Sequence, residues 1–589
     1  MVNKEIFVNT PFDFIIKQIK KLYLNSKIYD RKISRVYEGG LEYIPPLNLL
    51  DCVVTIKNKK NRIEDYNIES VWDNFNLNQR DLGKLHSFFW LFKIDLKSSK
   101  EITQSVILKW IETNKNYNDK TWDIETLSKR VIAWISNSNN FYPKSNESFK
   151  IIFSNSVKKQ INHLMSEIKN SDTKNDKMLS CVAIILFGLS FKNQSKYLYF
   201  GLGLLKKIID NVFDNDGFPK SRSLRELFFF IKYFVLIREL INDSNNEVPE
   251  YLNEIIFYLG KSYNFFSFEN VNRYLFNGNH YKNISDFNSF LKKHGYSFKN
   301  TENSIGGYTI FKNKRSSLIV DLGPSPEKNY SKDYQSGALS FEIFHDNEKI
   351  ITNCGYYQNF KHQLNILSKS SAAHSTLSID NHSSCKFKKN VNGNLYLASK
   401  LNIIKKKISC DNRYWEVEGV HDGYLKKYGI LHLRKIKFDL LNNVYHGEDK
   451  IICKKIIKDL DFDIRFHLSP DSNASKTQDQ RSILIQLSKS GWKFTNSEKR
   501  FGLETGLFFG KKDNYVENLN IFSNAATSGG TQIAFYDSSE ITNASFSTTS
   551  ATQILGNDST LKMYSGGALQ YIYNFDCCQY YKIFIATTK

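Results

Sequence analysis

The spacing of apolar residues changes period once along this chain, and that change limits the possible folds more than any other feature. From about residue 10 to 265 the spacing is helical. Ile124, Leu127, Val131, Trp134 and Ile135 fall on one stripe, with Glu125, Lys129 and Arg130 elsewhere. Residues Leu227 to Leu240 are almost all apolar, and Arg225, Lys232 and Glu239 mark a narrow polar edge, so this helix is expected to lie between neighbours. Turn chemistry such as Asp214-Asn215-Asp216-Gly217-Phe218-Pro219 punctuates the helices. From about residue 300 the period is two. Trp415, Val417 and Gly419 alternate with Glu416 and Glu418, and Ser482 to Leu487 and Ala568 to Phe575 read as strands. Turn signals at Asn392-Gly393 and Gly529-Gly530 fit antiparallel meanders. The spacing therefore predicts an α+β multidomain chain, helices first and an antiparallel sandwich second.

A chain of 589 residues exceeds what one hydrophobic core serves. The change of regime lies between residues 265 and 300, where Asn277-Gly278-Asn279-His280 and a polar stretch intervene. Domains over 1–285 and 286–589 are expected. The net charge of +21 favours a polyanionic partner, although a chain rich in Lys, Asn, Ile, Phe and Tyr with only 9 Pro acquires such a balance from composition alone. Clusters such as Lys57 to Lys60 and Lys405 to Lys407 read as solvated strand ends or loops. No RNP, zinc-finger or helix-turn-helix spacing accompanies them, so nucleic acid is not expected. The eight cysteines are scattered without a C-x-x-C pair and imply no disulfide framework. Charges at Lys4, Glu5, Asp13 and Lys17 interrupt any signal-peptide core, and the apolar run Met178 to Phe191 falls short of the ~20 residues that span a bilayer. A buried helix is expected there, and no integral membrane segment.

Between Asp321 and Asp380 four pieces occur in order: Asp321-Leu322-Gly323, Gly337-Ala338-Leu339-Ser340-Phe341-Glu342, Asn353-Cys354-Gly355 and Ala373-His374-Ser375-Thr376. This segment resembles the heparinase II/III-like polysaccharide lyases. The similarity extends to His421-Asp422-Gly423-Tyr424, to Arg465-Phe466-His467-Leu468-Ser469-Pro470, and upstream to Trp122–Trp134 and Asp216–Arg222, in the manner of a bacterial subgroup with a degenerate His-x-His motif. The resemblance implies an N-terminal (α/α) toroid of helical hairpins, a large antiparallel β-sandwich, and an acidic polysaccharide or oligosaccharide as partner. It implies β-elimination at a uronate: a base takes the C5 proton, a donor steadies the carboxylate, and the C4 oxygen leaves protonated.

Carried over residue by residue, the family's pattern is altered. Asp333 and Gln335 stand where the motif has its two His, Asn353 replaces a metal-binding Asp, and only His374 remains of three zinc ligands. No zinc and no other cofactor is expected, since structural zinc takes four ligands rich in His or Cys. In the helical half Asn175 matches the family Asn, followed by Asp176 instead of His. His374, Tyr334 and His421 are the candidates for proton transfer, and Asn175, Arg222, Gln335 and Asn353 for substrate binding. Each has a plain structural alternative: a hydrogen-bonded strand residue for His374, a turn residue for His421, a carbonyl-binding edge residue for Arg222, and a packing or sugar-stacking ring for Tyr334.

Two functions follow. One is a polysaccharide lyase acting on a uronate-containing glycan in the cell envelope or periplasm; the other is a non-catalytic glycan-binding or scaffold protein on the same fold. A two-carboxylate glycosidase would first be sought at Glu226 and Asp333. Nucleotide-loop, dinucleotide, nucleophile-elbow and zincin motifs are absent from the sequence. The family is usually exported, whereas the N-terminus carries no ordinary signal, so a cytoplasmic location is the alternative.

Overall fold

The computed structural model describes residues 11–37, 39–54, 61–62, 78–96, 100–171, 173–267, 271–359, 362–390, 393–453, 460–496, 501–510, 514–526 and 569–578. Lys57 to Lys60, Asn392, Gly529-Gly530 and the first ten residues lie outside them.

The helical half contains, among others, Lys100–Asn114, Ile124–Asn137, Glu147–Glu167, Lys174–Ser190, Ser195–Val212, Leu224–Asp243 and Glu250–Phe266. Side-chain caps set several starts: Asp123, Asn146 and Thr173 accept from the amides of Thr126, Phe149 and Asp176. The stripe Leu127, Val131, Trp134 and Ile135 is fully buried. Arg130 is buried with it, against the expectation of a polar face. Its guanidinium lies 4.0 Å from the Trp110 ring centre and donates to Gln160 Oε1 and to the His86 and Thr121 carbonyls, so hydrogen bonds replace water. Met178 to Phe187 forms a buried helix core, and no helix among the described residues is long and apolar enough to cross a membrane.

In the Asp214–Pro219 turn, Asp214 Oδ1 accepts from the Asp216 and Phe218 amides. Gly217 sits at φ 70°, and a Cβ there would meet Tyr258 Cβ at 2.4 Å. Gly217→Ala is therefore expected to cost about 2 kcal/mol in urea unfolding, because strain and a clash with the Tyr258 side chain coincide.

The β-rich half holds two large antiparallel sheets. The first runs Phe501–Phe508, Val516–Ala526, Asp461–Leu468, Glu348–Thr352, Phe341–His345, Ser316–Asp321, Tyr308–Lys312 and Ser304–Ile305, with Leu377–Ile379 also paired to Asp461–Leu468. The second runs Ile403–Cys410, Tyr414–His421, Ile430–Asp439, Val444–Cys453, Leu569–Cys578, Gly491–Asn496, Ser482–Gln486 and Asn473–Lys476. Alternate residues of both, including Phe341, Ile351 and Phe466 from one and Val417, Ile436 and Trp492 from the other, share one core, which makes the pair a sandwich. Lys405 and Lys407 lie within a strand rather than at its end, and pair with Glu418 and Glu416 of the neighbouring strand. Where described, Cys52, Cys181, Cys354, Cys385, Cys410 and Cys453 are free thiols.

The chain divides into two interleaved units. One comprises Met1–Phe218, Leu227–Asn264 and Asn283–Lys299; the other comprises Pro219–Glu226, Phe265–Lys282 and Asn300–Lys589. The division is not a single cut at 285. Pro219–Glu226 goes with the sandwich because Arg222 binds Asp321 and the Gly306, Gly323 and Pro324 carbonyls. Phe265–Lys282 goes with it because the Asn277–Gly278 turn is hydrogen-bonded to Gln335 and Tyr308.

Candidate functional site

Within the sandwich unit, the loops bearing the motif residues converge, and most of their polar groups are used to hold the loops together. Arg222 is buried at φ 57°, a backbone region uncommon for a side chain of this size. Its Nη2 donates to Asp321 Oδ1 at 2.6 Å, while Nε and Nη1 bind three carbonyls. Burial works against its charge, yet Asp321 holds the guanidinium above its ordinary pKa. All three nitrogens are engaged, so Arg222 is a brace and not a free carboxylate clamp.

Gln335 Oε1 accepts from the Gly278 amide, and Nε2 donates to the Gly355 and Ser368 carbonyls. Asn353 Oδ1 accepts from the Ser375 amide, while its own backbone N–H donates to Glu342 Oε1. Glu342 also pairs with Lys349 at 2.9 Å. Both amides are fully buried. These side chains tie loops together instead of presenting donors to a ligand. Gln335→Ala is expected to destabilise the unit by about 3 kcal/mol, because it strands three buried backbone groups.

The three proton-transfer candidates are enclosed. His374 is buried, its Nδ1 lies 2.8 Å from the Ser370 carbonyl oxygen, and burial lowers its pKa to about 4. Its Nε2 has no hydrogen-bond partner among the described residues. Tyr334 is fully buried, and burial pushes its phenol well above the ordinary value. His421 Nδ1 accepts from the Gly423 amide, which matches the turn alternative, and Nε2 lies 3.1 Å from His432 Nδ1. Burial, helped by His432 and Arg434, lowers its pKa well below the usual imidazole range.

His421 begins a chain of buried groups that no sequence motif announces. His432 Nε2 meets Asp449 Oδ1 at 2.6 Å, and Arg434 binds both Asp449 oxygens at 2.8 and 2.9 Å. Arg434 Nη1 then donates to the Leu339 and Ser375 carbonyls. A pattern of His421, His432, Arg434 and Asp449 on adjacent strands could have been noticed only once the register His421↔His432 and Arg434↔Asp449 was known.

Asn175, in the helical unit, lies exposed in the first turn of Lys174–Ser190. The carboxylate of Asp176, its neighbour, accepts from Ser171 Oγ, and the Asp176 amide donates to Thr173 Oγ1, which makes the pair part of a helix start.

The more open chemistry is at Asp333, where the resemblance has an imidazole. Asp333 is paired with Arg225, whose side chain is 32% exposed. Burial would raise the Asp333 pKa, but Arg225, Lys369 and Lys332 outweigh it and keep the group below the ordinary carboxylate range. Arg225 and Lys369 lie 5.8 and 5.3 Å from the Tyr356 ring centre. Lys369 Nζ donates to the Lys332 and Tyr334 carbonyls, and burial lowers its pKa to about 7. Sequence reading singled out Asp333 as a lost imidazole and, with Glu226, as a carboxylate pair for a glycosidase, and missed Arg225, Tyr356 and Lys369 as its neighbours. Arg225, three residues after Arg222 at a helix start, was legible as an interruption of an apolar stripe. The Asn277–Gly278 turn, read as a linker, is a wall of this region: Gly278 has φ 83°, and a Cβ there would meet Asp333 Cβ at 2.7 Å.

Zinc does not fit the residues at the family's metal position. Gln335 and Asn353 offer amides already engaged beside His374, the nearby His467 has Nδ1 at Asn520 and Nε2 at the Ala372 carbonyl, and no group of three or more His, Cys, Asp or Glu suited to a metal occurs among the described residues. Saturating zinc is expected to leave the melting temperature unchanged, whereas a site of native affinity would raise it.

Comparison with known proteins agrees with this framework. The sequence profile of the heparinase II/III-like C-terminal region matches residues 303–536. FtsZ-localized protein C of Caulobacter vibrioides is 27% identical over 194 residues, which is 30% of this chain and only 33% of that protein. The crystal structure of heparan sulfate lyase HepC from Pedobacter heparinus superposes with a TM-score of 0.62 at 12% identity, covering 98% of this chain and 92% of that one. A heparinase III crystal structure gives 0.61 at 14% identity, covering 97% and 92%. At such identities the superpositions speak for fold alone. Residues 303–536 form a heparinase II/III-like C-terminal region, and the chain carries the heparinase III fold.

Proposed function

We propose that this chain is a glycan-binding protein on the lyase fold, which holds an acidic, uronate-containing glycan and does not turn it over with the side chains that the family pattern supplies. The observation that carries this reading is the enclosure of Tyr334, His374 and His421. A catalytic base must come within hydrogen-bond reach of the proton it removes, and an acid within reach of the leaving oxygen. Groups closed into the sandwich with pKa values driven away from neutrality do neither task. Arg225 is a partly open cation of the motif region, able to exchange part of its bond to Asp333 for a substrate carboxylate. The net charge of +21 assists the approach of a polyanion.

A uronate oligosaccharide titrated calorimetrically into the full chain is expected to bind, and Arg225→Ala to weaken it about tenfold or more. Unchanged affinity in Arg225→Ala would remove the assignment. For location we propose the cell envelope, where acidic glycans lie; recovery of the protein wholly in the cytoplasmic fraction would contradict it.

One observation favours turnover as a second reading. Lys369, beside Asp333 with its pKa lowered to about 7, is an amine able to accept a proton at neutral pH, provided that substrate binding uncovers its buried Nζ. Under that reading Lys369→Met abolishes formation of unsaturated uronate and leaves binding intact.

A further inference from the structure

The first sheet carries a concavity of about 470 Å³ on the face turned away from the shared core. Its floor is a row across three strands, Arg465 opposite Phe522 and Phe522 opposite Gly502. A Cβ on Gly502 would meet the Phe522 ring at 3.0 Å, so the absent side chain is what lets the ring lie down on the neighbouring strand. Core-facing Phe462, Ile464 and Phe466 alternate with Asp463 and Arg465, which accordingly line the outer face.

Planar polar groups flank the ring. Arg465 Nε donates to Glu504 Oε1 at 2.8 Å, and Nη1 to Ser378 Oγ at 3.3 Å. Asn524 Nδ2 donates to Asp463 Oδ1 at 2.7 Å. This arrangement leaves Glu504 Oε2 and Asn524 Oδ1 as acceptors beside an aromatic face. A half-buried ring with planar acceptors at its edges suits the C–H face and the hydroxyl rim of a pyranose. Asp463 and Glu504 are balanced by Arg465 and by Lys476, whose Nζ lies 4.9 Å from the ring centre of Phe501 at the rim, so the concavity has no net charge to attract a uronate or sulfated sugar.

The geometry points to a second carbohydrate site, specific for an uncharged hexose residue stacked on Phe522 and hydrogen-bonded by Glu504 and Asn524. It does not depend on the acidic-glycan reading, since it shares no residue with Arg225 or Asp333. It would let the protein hold a neutral glycan, or neutral units of a mixed one.

The test is a calorimetric titration of the full chain with hexasaccharides of glucose, mannose and galactose, and with a hexauronate. At least one neutral hexasaccharide is expected to bind, with Phe522→Ala and Asn524→Ala each weakening it about tenfold and leaving hexauronate affinity unchanged. Circular dichroism of both variants checks that they fold, and Phe522→Tyr should retain binding. The proposal is overturned if no neutral hexasaccharide binds, if both alanine variants bind as the parent does, or if hexauronate binding is the one they remove. Loss of hexauronate binding in Arg225→Ala alone bears on the other site only.

Discussion

Replacing Asp449 by Asn is expected to destabilise the sandwich by about 3–5 kcal/mol. The carboxylate is fully buried, accepts two bonds from Arg434 and one from His432, and has no solvent to take its place. Asn preserves the shape, so the loss is not one of packing. It leaves a guanidinium charge in a dry core, and the penalty for an uncompensated buried charge exceeds the net worth of the pair. The damage should extend to Leu339 and Ser375, whose carbonyls Arg434 holds. Removing both charges, with Arg434→Met and Asp449→Leu together, is expected to recover much of the loss. Urea unfolding followed by the fluorescence of buried Trp415 and Trp492 measures both; a single-variant cost under about 1 kcal/mol would mean that the network is solvated.

Mild acid should unfold this protein. Burial lowers the pKa of His86, His163 and His374 to about 4, and that of His467 to about 3. Each folded value lies below that of the unfolded chain, near 6.5. The stability these neutral imidazoles contribute is therefore complete above that value. It is lost as pH falls toward the folded values, because the unfolded chain takes up protons that the folded chain refuses. Between pH 7 and 5 each contributes a loss of about 2 kcal/mol, and the four together on the order of 6–8 kcal/mol, comparable with a typical total of about 5–15 kcal/mol. Asp333 and Asp449, held below the ordinary range, add to the loss at lower pH, while Asp176 and Asp321, raised by burial, oppose it only in the carboxylate range. The expected result is a steep fall in urea midpoint between pH 6.5 and 5, flattened by about one proton in His467→Gln. A midpoint unchanged from pH 7 to 5 would contradict it.

The architecture was legible because two periods, 3.6 and 2, leave direct marks in the sequence. Leu127, Val131 and Trp134 announced a helix, and Trp415 and Val417 a strand, from spacing alone. The ordered motif pieces then located the loops that converge in the sandwich. What spacing does not carry is direction: Gln335 and Asn353 read as ligand-facing amides, and only the folded backbone shows that Gly278, Gly355, Ser368 and Ser375 claim them. The His421–Arg434 network escaped for a similar reason, since it is assembled by strand register. Lys369 escaped because its altered basicity comes from burial by residues distant in sequence. Arg130 escaped because a charged residue inside a helix core is rare, and its partners lie on other segments.

The proposal that most needs testing is that the enclosed imidazole of His374 takes no part in chemistry, and that the fold holds an acidic glycan without cleaving it. The direct measurement is the absorbance of unsaturated uronate while the full chain is incubated with uronate polymers it demonstrably binds. A flat trace at saturation, the same for parent and His374→Ala, is the result this account requires. A rising trace that His374→Ala abolishes, with binding intact, would contradict it.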